Sequence, residues 1–463
     1  MAEVRRLPSC RECWTAHRST MRRSAGRGGI LFRSDFDKQV VIAAFERRGW
    51  QRVRSEDDDD WDVYWASVHS IRQLFNPENG RRLAEHQVVN HFPNHYELTR
   101  KDLMARNIKR YRKDFGKLQN EVAADDRLQG DRLEELPQDW VPTTFALPND
   151  YALFVEEFRR DPSATWIAKP TGKAQGRGIF LVSRLQQLKK WSNTQKASFS
   201  QPVPFRDPYI ISRYIDDPLL VGGKKFDLRL YVLVTTYRPL RVYLYRHGFC
   251  RFCVEQYTSD VAEFDNIFVH LTNVAIQKQA EDYNDRHGGK WDVSDLMLFI
   301  EGTRGKAARD KLAADMESVI VHSLKAVQAV MVNDKHCFEM YGFDVLIDRN
   351  LRPWLLEVAQ VAPDPRRPQR GDALGQLRGR GGARRLRLHL RRGQAAGRAP
   401  RAEAQDRTAW LWLEMTCQEE KGLFEDILDV HTTPGLSLNC ARATIMQPPR
   451  ALDKVLPENN EEN

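Results

Sequence analysis

Two carboxylates in the segment YGFDVLIDRNLRPWLLEV have the placement of a metal site, Asp344 before a turn and Glu357 after it. Alternating apolar residues predict a strand on each side of the Asp348-Arg349-Asn350 turn. With an even-length loop, both carboxylates fall on one face of the hairpin, opposite or diagonal to each other. Neighbouring carboxylates repel, and Mg²⁺ commonly takes one or two of them together with substrate phosphate oxygens. The pair therefore predicts a magnesium site.

The next side chain on that face belongs to the residue two positions beyond Glu357. A third oxygen ligand is expected there, and the sequence has Ala359, whose methyl group offers no lone pair to a cation. The predicted site is therefore one protein ligand short.

A glycine-rich turn lies between two predicted strands in the segment WIAKPTGKAQGRGIFLV. Gly172, Gly176 and Gly178 would allow positive φ angles and a close approach of the backbone to phosphates. Lys169 and Lys173 add positive charge. Neither the Walker A spacing nor G-x-G-x-x-G fits. Most glycine-rich hairpins are plain turns, but a preceding strand that ends in Lys-Pro favours a phosphate-covering loop.

The segment KKFDLRLYVLV predicts a strand with one apolar and one charged face. Phe226 and Leu228 point one way, whereas Asp227, Arg229 and Tyr231 point the other way. Charged groups on an otherwise apolar strand are costly to bury unless they line a site or pair with each other. Two interpretations stay open, namely a binding site and an Asp–Arg pair at a sheet edge.

A largely antiparallel sheet must position these motifs. The candidate strands are TWIAKP, GIFLV, YIISRYI, KFDLRLYVLVTTY, LRVYLYR, FEMYGFDVLID and RPWLLEV. A helix over about 306–331 precedes the last two strands, with a predicted buried stripe of Leu312, Met316, Val319, Leu324 and Val327. Hairpins with one interposed helix predict the α+β class.

A mixed α/β region precedes the glycine-rich turn. Residues 100–118 predict a helix, because Met104, Ile108, Tyr111 and Phe115 recur at helical spacing. Basic residues cover its other face, which is usually just solvated, although it could meet an acidic partner. Residues 1–27 are polar and basic, and we expect them to be disordered.

The net charge of +9 comes from one segment. Between Arg366 and Arg407 there are thirteen Arg, no Lys and three acidic residues, so the rest is nearly neutral and no nucleic-acid partner is expected. No apolar run is long enough for a membrane span, and no secretory signal is recognisable. Two C-x-x-C pairs, Cys10/Cys13 and Cys250/Cys253, could be read as a zinc site, but buried or surface thiols are the better interpretation.

The chain resembles the tubulin–tyrosine ligase-like family of ATP-grasp ligases in the order of its motifs. These are Lys-Pro, Gln-Gly-Arg-Gly, Ser-Arg-Tyr-Ile, Lys-Phe-Asp-Leu-Arg, His-Leu-Thr-Asn, Gly-Phe-Asp and Leu-Leu-Glu-Val. Residues 90–113, NHFPNHYELTRKDLMARNIKRYRK, are similar to the family's N-terminal domain. FVEEFRRDPSATWIAKP and VHLTNVAIQK most resemble a branch that modifies tubulin in cilia and flagella. The likeness runs from about Gly28 to Val358.

This resemblance implies ATP-dependent ligation of glutamate to a glutamate side chain of a tubulin tail, through an acyl phosphate. It implies ATP and Mg²⁺ as cofactors, and tubulin or microtubules and free glutamate as partners. The implied location is the cytoplasm and cytoskeleton, at the axoneme and basal body of a cilium or flagellum.

Individual roles also follow from the resemblance. Nucleotide binding would fall to Lys169, Gln175, Gly176, Ser212, Arg213, Tyr214, Ile215, Lys225, Phe226, Asp227, Thr272 and Asn273. Arg251 and Lys290 match positions that hold the carboxylates of the incoming glutamate, a task suited to guanidinium geometry. Lys169, Arg229 and Arg251 would be catalytic, and Asp344 and Glu357 would bind Mg²⁺.

The predicted organisation has four parts: a disordered segment at 1–27, an N-terminal α/β domain at 28–160, ATP-grasp domains at 161–358 and an atypical tail at 359–463. The tail is rich in Arg, Gly, Ala and Pro, and we expect it to be largely disordered. The family pattern has Asn where this chain has Ala359. One hypothesis is that 359 to about 408 reflects a shifted reading frame or a mis-joined exon, and the alternative is a real arginine-rich tail that binds acidic tubulin.

Four functions stay open at this point. The first is a tubulin polyglutamylase, and the second is a catalytically impaired variant that still binds microtubules because Ala359 replaces a metal ligand. The third is a tubulin glycylase, since glycylases share the core motifs. The fourth is an ATP-grasp ligase that acts on a small metabolite.

Overall fold

The computed structural model describes residues 29–53, 59–124, 139–188, 208–245, 247–283, 289–361 and the backbone of 441–445. The predictions for 1–27 and for almost all of the tail after residue 361 lie outside the described residues. No helix in these ranges is long and apolar enough to cross a bilayer.

A four-stranded parallel sheet, ordered β2–β1–β3–β4, forms the N-terminal layer. Its strands are β1 (Leu31–Ser34), β2 (Gln51–Arg52), β3 (Val63–Trp65) and β4 (Val88–Val89). Parallel neighbours need a crossover, and helix α1 (Gln39–Arg47) supplies the one between β1 and β2. Phe45 on α1 packs on Phe32 of β1, with ring centroids 4.6 Å apart. This layer agrees with the predicted α/β character of the N-terminal region.

Three further helices follow this sheet: α2 (Val68–Leu74), α3 (Tyr96–Thr99) and α4 (Lys101–Ala124). Helix α4 confirms the prediction for 100–118 and runs six residues further. Met104, Ile108 and Phe115 are buried as the spacing indicated. Tyr111 is partly buried and hydrogen-bonds His322 Nδ1 at 2.9 Å through its hydroxyl, which joins α4 to the body of the protein.

A second sheet is antiparallel, in the order β5–β8–β6–β7. Its strands are β5 (Thr144–Leu147), β6 (Trp166–Pro170), β7 (Phe180–Val182) and β8 (Tyr209–Arg213). Helix α5 (Tyr151–Arg160) covers it through Phe154, whose ring centroid lies 5.1 Å from that of Trp166. Strand β5 and α5 precede the predicted domain boundary after residue 160, yet β5 pairs with β8 over four residues. The boundary itself stays a prediction.

The third sheet is antiparallel and centres on the long strand β10. Its strands are β9 (Leu220–Val221), β10 (Lys224–Tyr237), β11 (Leu240–Tyr245), β12 (Phe249–Phe252), β13 (Lys290–Asp292), β14 (Glu339–Ile347), β15 (Pro353–Gln360) and β16 (Ala441–Ile445). Strand β10 pairs with β12 and β11 on one side and with β14 on the other side. It is therefore an interior strand, and the interpretation of an Asp–Arg pair at a sheet edge was wrong.

The four remaining helices of the described residues are α6 (Ile267–His270), α7 (Val274–Gln277), α8 (Val293–Arg304) and α9 (Lys306–Gln328). Helices α6, α8 and α9 contact the third sheet, whereas Ile276 of α7 packs against Ile167 and Leu181 of the second sheet. All members of the predicted stripe of α9 are buried, namely Leu312, Met316, Val319, Leu324 and Val327. They join the largest core cluster together with the inward-facing residues of β10 and β14. The predicted α+β class with antiparallel sheets is thus confirmed for these layers, beside a parallel N-terminal sheet.

Candidate nucleotide and metal site

The β14–β15 hairpin places Asp344 directly opposite Glu357. The turn is organised by Asp348, whose carboxylate accepts from the backbone N–H groups of Asn350 at 2.9 Å and Arg352 at 3.0 Å. A register shift after Asp344 accommodates one extra residue in β15. The predicted opposition of the two carboxylates is therefore confirmed, but it arises from this register shift and not from an even-length loop, since five residues lie between the paired Ile347 and Pro353. Metal binding by the two carboxylates stays a prediction.

Asp344 is buried between two guanidinium groups. Arg229 donates to it from Nε and from Nη2, the latter at 3.1 Å, and Arg251 Nη2 lies 2.8 Å from its Oδ2. Burial alone would raise the pKa of Asp344, but the two guanidinium groups hold that pKa well below its usual value. The carboxylate is therefore ionised throughout the physiological range.

Strand register explains this network of charges. Asp227 stands opposite Arg251, and Arg229 stands opposite Asp344, so each ion pair joins directly opposed residues of neighbouring strands. Arg251 also donates from Nε to Asp227 at 2.8 Å, and both side chains are buried. Gly342 leaves room for the guanidinium arm, since a Cβ there would lie 3.0 Å from Arg229 Cδ. The charged face predicted for β10 thus pairs across strands and not within one strand.

Glu357 has a partner that the sequence did not reveal. Lys101, the first residue of α4, places Nζ 2.8 Å from Glu357 Oε2, and only 12% of the Lys101 side chain is exposed. The beginning of α4 therefore reaches the hairpin. The family-like segment 90–113 contains this lysine, but its pairing with a strand far along the chain had no local signal.

The glycine-rich turn has the predicted backbone at two of three positions. Gly176 and Gly178 have φ angles of +75° and +74°, whereas Gly172 is not in the left-handed region. A Cβ on Gly176 would lie 2.9 Å from Asn273 Oδ1, so only glycine fits against that side chain. Lys169 stands at the end of β6, where burial lowers its pKa and Glu357 opposes that shift.

A buried lysine marks the other end of the site. Lys225 Nζ donates to the Tyr214 hydroxyl at 2.7 Å and to the carbonyl oxygen of His270 at 3.0 Å. Burial lowers the pKa of Lys225 to about 8. Both acceptors are neutral oxygens, so neither hydrogen bond neutralises the positive charge of Lys225.

A pocket that is open to solvent joins these groups and is lined by residues of the second and third sheets. Most predicted site residues line it: Lys169, Gln175, Gly176, Ser212, Arg213, Tyr214, Ile215, Lys225, Asp227, Arg251, Thr272, Asn273, Asp344 and Glu357. Lys101 and His270 line it as well, and sequence reasoning missed both.

Three predicted site residues are placed elsewhere. Phe226 is 1% exposed and packs with Phe252 in the core, so its side chain does not line the pocket, and its part in nucleotide binding stays a prediction. Arg229 lies behind the pocket against Asp344. Lys290 stands opposite Arg251 on β13, with Nζ 4.4 Å from the centre of the Phe249 ring. The roles of Arg229 and Lys290 stay predictions.

The pocket lining suits a polyphosphate with a hard cation. It holds six basic side chains, Lys101, Lys169, Lys173, Arg213, Lys225 and Arg251, against three carboxylates, Asp227, Asp344 and Glu357. Excess positive charge favours phosphate, and two opposed carboxylates are donors that Mg²⁺ accepts beside phosphate oxygens. Within the described ranges, no group of three or more His, Cys, Asp or Glu could hold a metal. Cys250 and Cys253 are buried free thiols, and Cys10 and Cys13 lie outside those ranges.

Ala359 is half-buried on β15, opposite Gly342. The strand continues to Gln360, two residues beyond its predicted end at Val358. Ala359 therefore occupies a regular strand position two residues after Glu357, and the departure from the family pattern begins inside the sheet. The segment 362–408, to which most of the reading-frame hypothesis refers, lies outside the described residues.

Comparison with known proteins agrees with this geometry. The sequence model of the tubulin-tyrosine ligase family matches residues 80–372. The chain is 53% identical to "Probable alpha-tubulin polyglutamylase Ttll1" of Tetrahymena thermophila over 329 residues, 71% of this chain and 79% of that protein. It is 40% identical to "Probable tubulin polyglutamylase TTLL9" of Bos taurus over 358 residues, 72% of this chain and 74% of that protein. The Caenorhabditis elegans ttll-9 protein is 39% identical over 330 residues, 71% and 73% of the two chains.

Two antiparallel sheets enclose a basic pocket with opposed carboxylates at one end, and the family match assigns this arrangement to the ATP-grasp ligases. Within that class, the chain belongs to the tubulin-tyrosine ligase family. The expected family is therefore confirmed, and the TTLL9 proteins among these relatives represent the branch that two segments of the sequence resemble.

Proposed function

We propose that the chain is an ATP-dependent tubulin polyglutamylase, which ligates glutamate to glutamate side chains in tubulin C-terminal tails. The observation that carries this proposal is the 53% identity, over 79% of its length, to a protein named as an alpha-tubulin polyglutamylase. The arrangement of the pocket supports it, because a basic, lysine-lined cleft with carboxylates at one end suits phosphoryl transfer from a nucleotide.

The reaction would proceed in two displacements. The γ-phosphoryl group of ATP passes to the side-chain carboxylate of tubulin, and the amine of free glutamate then attacks the acyl carbon while phosphate leaves. Lys169 and Lys225 would bind phosphate oxygens, and the turn at Gln175 and Gly176 would cover them. Asp344 and Glu357 would hold Mg²⁺, which when bound neutralises phosphate charge. The protein mainly aligns the reactants and stabilises developing charge.

Arg251 is proposed to orient the incoming glutamate, with Lys290 beside it. In the structure, Arg251 uses Nε and Nη2 for Asp227 and Asp344. A guanidinium group has five N–H donors, so these bonds leave donors on Nη1 for a substrate carboxylate. Arg229 would act by holding Asp344 in place.

The test combines the protein with ATP, Mg²⁺, microtubules and labelled glutamate. Incorporation of label into tubulin supports the proposal, and a parallel reaction with labelled glycine separates a glycylase from a glutamate ligase. Glutamate-dependent ATP turnover without tubulin would favour a ligase for a small metabolite. Removal of the tubulin tails with subtilisin should abolish incorporation, since the acceptor carboxylates are then missing.

A second candidate is a variant that binds microtubules with little catalysis, and Ala359 is the observation that favours it. In the same assay, this candidate predicts co-sedimentation with microtubules without incorporation. The basic face of α4 offers exposed Lys109 and Lys113 to acidic tubulin tails in either case. We place the protein at the cytoskeleton, in the axoneme and basal body of cilia or flagella, which imaging of a tagged chain would test.

A further inference from the structure

The direction of the Lys225 ammonium group is set by two neighbours. Its Nζ donates to the Tyr214 hydroxyl at 2.7 Å and to the carbonyl oxygen of His270 at 3.0 Å. An ammonium group has three N–H donors, so among the described residues these bonds leave one donor for a ligand. Lys225 lines the pocket, and two fixed bonds of a tetrahedral group also fix the third. Whatever holds Tyr214 therefore helps to aim Lys225.

His270 holds Tyr214, and the hydrogen-bond directions can be assigned. The carbonyl oxygen of Glu263 lies 3.1 Å from His270 Nε2 and can only accept, so Nε2 carries the proton. In a neutral imidazole Nδ1 is then an acceptor, and it lies 2.9 Å from the Tyr214 hydroxyl. Tyr214 can donate its single proton to Nδ1 and keep a lone pair for Lys225. The Tyr257 hydroxyl also hydrogen-bonds Tyr214, and because it donates its own proton to the carbonyl oxygen of Asp216 at 2.8 Å, its oxygen is a second acceptor.

The protonation state of the ring agrees with this assignment. Burial and then the nearby Lys225 charge lower the pKa of His270 to about 4. The ring is therefore neutral at physiological pH, and its Nδ1 remains an acceptor. His270 is also 3% exposed, so water does not compete for Nδ1.

We propose that His270 is a positioning residue for nucleotide binding, which fixes the Tyr214 hydroxyl as an acceptor and thereby aims the Lys225 ammonium group into the pocket. The inference deepens the proposed function and rests on its use of ATP. Without the imidazole, the Tyr214 hydroxyl loses the acceptor at Nδ1 and keeps only Tyr257, so the lone pair that it offers to Lys225 is less well aligned. The bond from Lys225 to the backbone of residue 270 would remain.

Nucleotide affinity tests this role without any need for tubulin. We would measure the dissociation constant of a fluorescent ATP analogue for the full chain. His270→Leu is expected to weaken binding about fivefold, the value of one hydrogen bond. His270→Asn, whose side-chain oxygen can replace Nδ1, should restore most of the affinity. His336→Leu is the matched control, a buried histidine that contacts the Gln87 carbonyl outside the pocket, and it should bind within about twofold of wild type.

A double-mutant cycle separates the proposed relay from simple packing. Tyr214→Phe removes the same hydroxyl and should weaken binding about as much as His270→Leu. In the Tyr214→Phe background, His270→Leu should then add less than about twofold. Fully additive losses would mean that His270 acts by packing alone, and would overturn the inference.

Failure of this inference and failure of the proposed function have different signatures. A wild-type chain that binds no ATP analogue overturns both. A wild-type chain that binds it, with His270→Leu binding equally well, overturns the inference alone. If thermal melting shows that His270→Leu does not fold, Tyr214→Phe decides, because wild-type affinity in that variant contradicts the relay.

Discussion

The two ends of the pocket hold their charges in opposite ways. At the Lys225 end, neutral hydroxyl and carbonyl oxygens surround one buried cation. At the Asp344 end, Asp227 and Asp344 alternate with Arg251 and Arg229 in a chain of ion pairs. Strand β10 contributes to both ends, since it carries Lys225 as well as Asp227 and Arg229.

This difference determines what a ligand must do at each end. An anion that approaches Lys225 meets an uncompensated cation whose pKa burial has lowered to about 8, so its charge stabilises the protonated amine. A ligand at the Asp344 end meets charges that already compensate one another, and it can use only the donors and lone pairs that the ion pairs leave free, such as Nη1 of Arg251. The first end is suited to capture of a phosphate, and the second to orientation of groups with defined geometry.

The largest effect is expected from Asp344→Ala, which breaks the chain of ion pairs. Arg229 would be left in a largely buried site without its carboxylate, and loss of one partner of a buried pair costs about 3 kcal/mol of unfolding free energy. Glutamate incorporation should fall to background in the same variant. Urea denaturation and the microtubule assay measure the two effects.

The matched control is Asp217→Ala, which removes an exposed carboxylate paired with Arg349. Exposed pairs contribute little, so its unfolding free energy should stay within about 1 kcal/mol of wild type. If both variants lost the same unfolding free energy, the buried ion pairs of Asp344 would contribute no more to stability than an exposed pair.

At the Lys225 end, the unfolding free energy should depend on pH through the protonation of His270. The folded pKa of His270 is about 4, below the ordinary 6.5, so the unfolded chain binds this proton first as the pH falls. Stability is therefore full above pH 6.5 and is lost as the pH falls towards 4, with about 2 kcal/mol lost between pH 7 and pH 5. His270→Asn should lack this component in urea denaturation at the two pH values. Identical losses in both proteins would show that another group is responsible.

Ala359→Asn tests whether the Asp344 end lacks a metal ligand. A side-chain oxygen two residues beyond Glu357 would extend the set of ligands, and we expect about a tenfold gain in the rate of glutamate incorporation at limiting Mg²⁺. The measurement is the Mg²⁺ dependence of that rate. Ala359→Leu adds bulk without oxygen and should give no gain, while an unchanged rate in Ala359→Asn would remove the argument for a missing ligand.

The smallest effect is expected from Lys101→Met, which removes the cation beside Glu357 and keeps the aliphatic chain. About a quarter of the Glu357 side chain is exposed, so the unfolding free energy should change by about 1 kcal/mol or less. The Michaelis constant for ATP should rise a few-fold because the pocket loses one positive charge. Lys311→Met, in an exposed helical pair with Asp315, is the control and should change neither quantity. A similar rise in the control would indicate a general charge effect.

Part of the Asp344 end was predictable because strands alternate. Alternation placed Asp227 and Arg229 on one face of β10. Asp344 faces Glu357 only because β15 has one extra residue at the register shift, which alternation did not predict. Alternation also placed Phe226 on the apolar face, so the face of the strand was a better guide to that side chain than the family motif.

The partners of these residues could not be predicted from local patterns. Arg229 pairs with a carboxylate 115 residues away, and Arg251 with one 24 residues away, which only strand order and register decide. The contributions of Lys101 and His270 to the site were not predicted for the same reason, since each side chain contacts a residue of another element. Strand β5 was not among the predicted strands, although the shorter β7 was.

The length of β10 has a consequence for how this chain can vary over generations. Lys225, Asp227 and Arg229 follow one another at two-residue steps, about 6.8 Å each. One inserted or deleted residue would turn every later side chain to the opposite side of the sheet, so that Arg229 would enter the apolar core. Substitutions in this strand can alter the chemistry of the pocket. Insertions and deletions cannot be tolerated there, because the number of residues between Lys225 and Arg229 sets the distance between the two ends of the pocket.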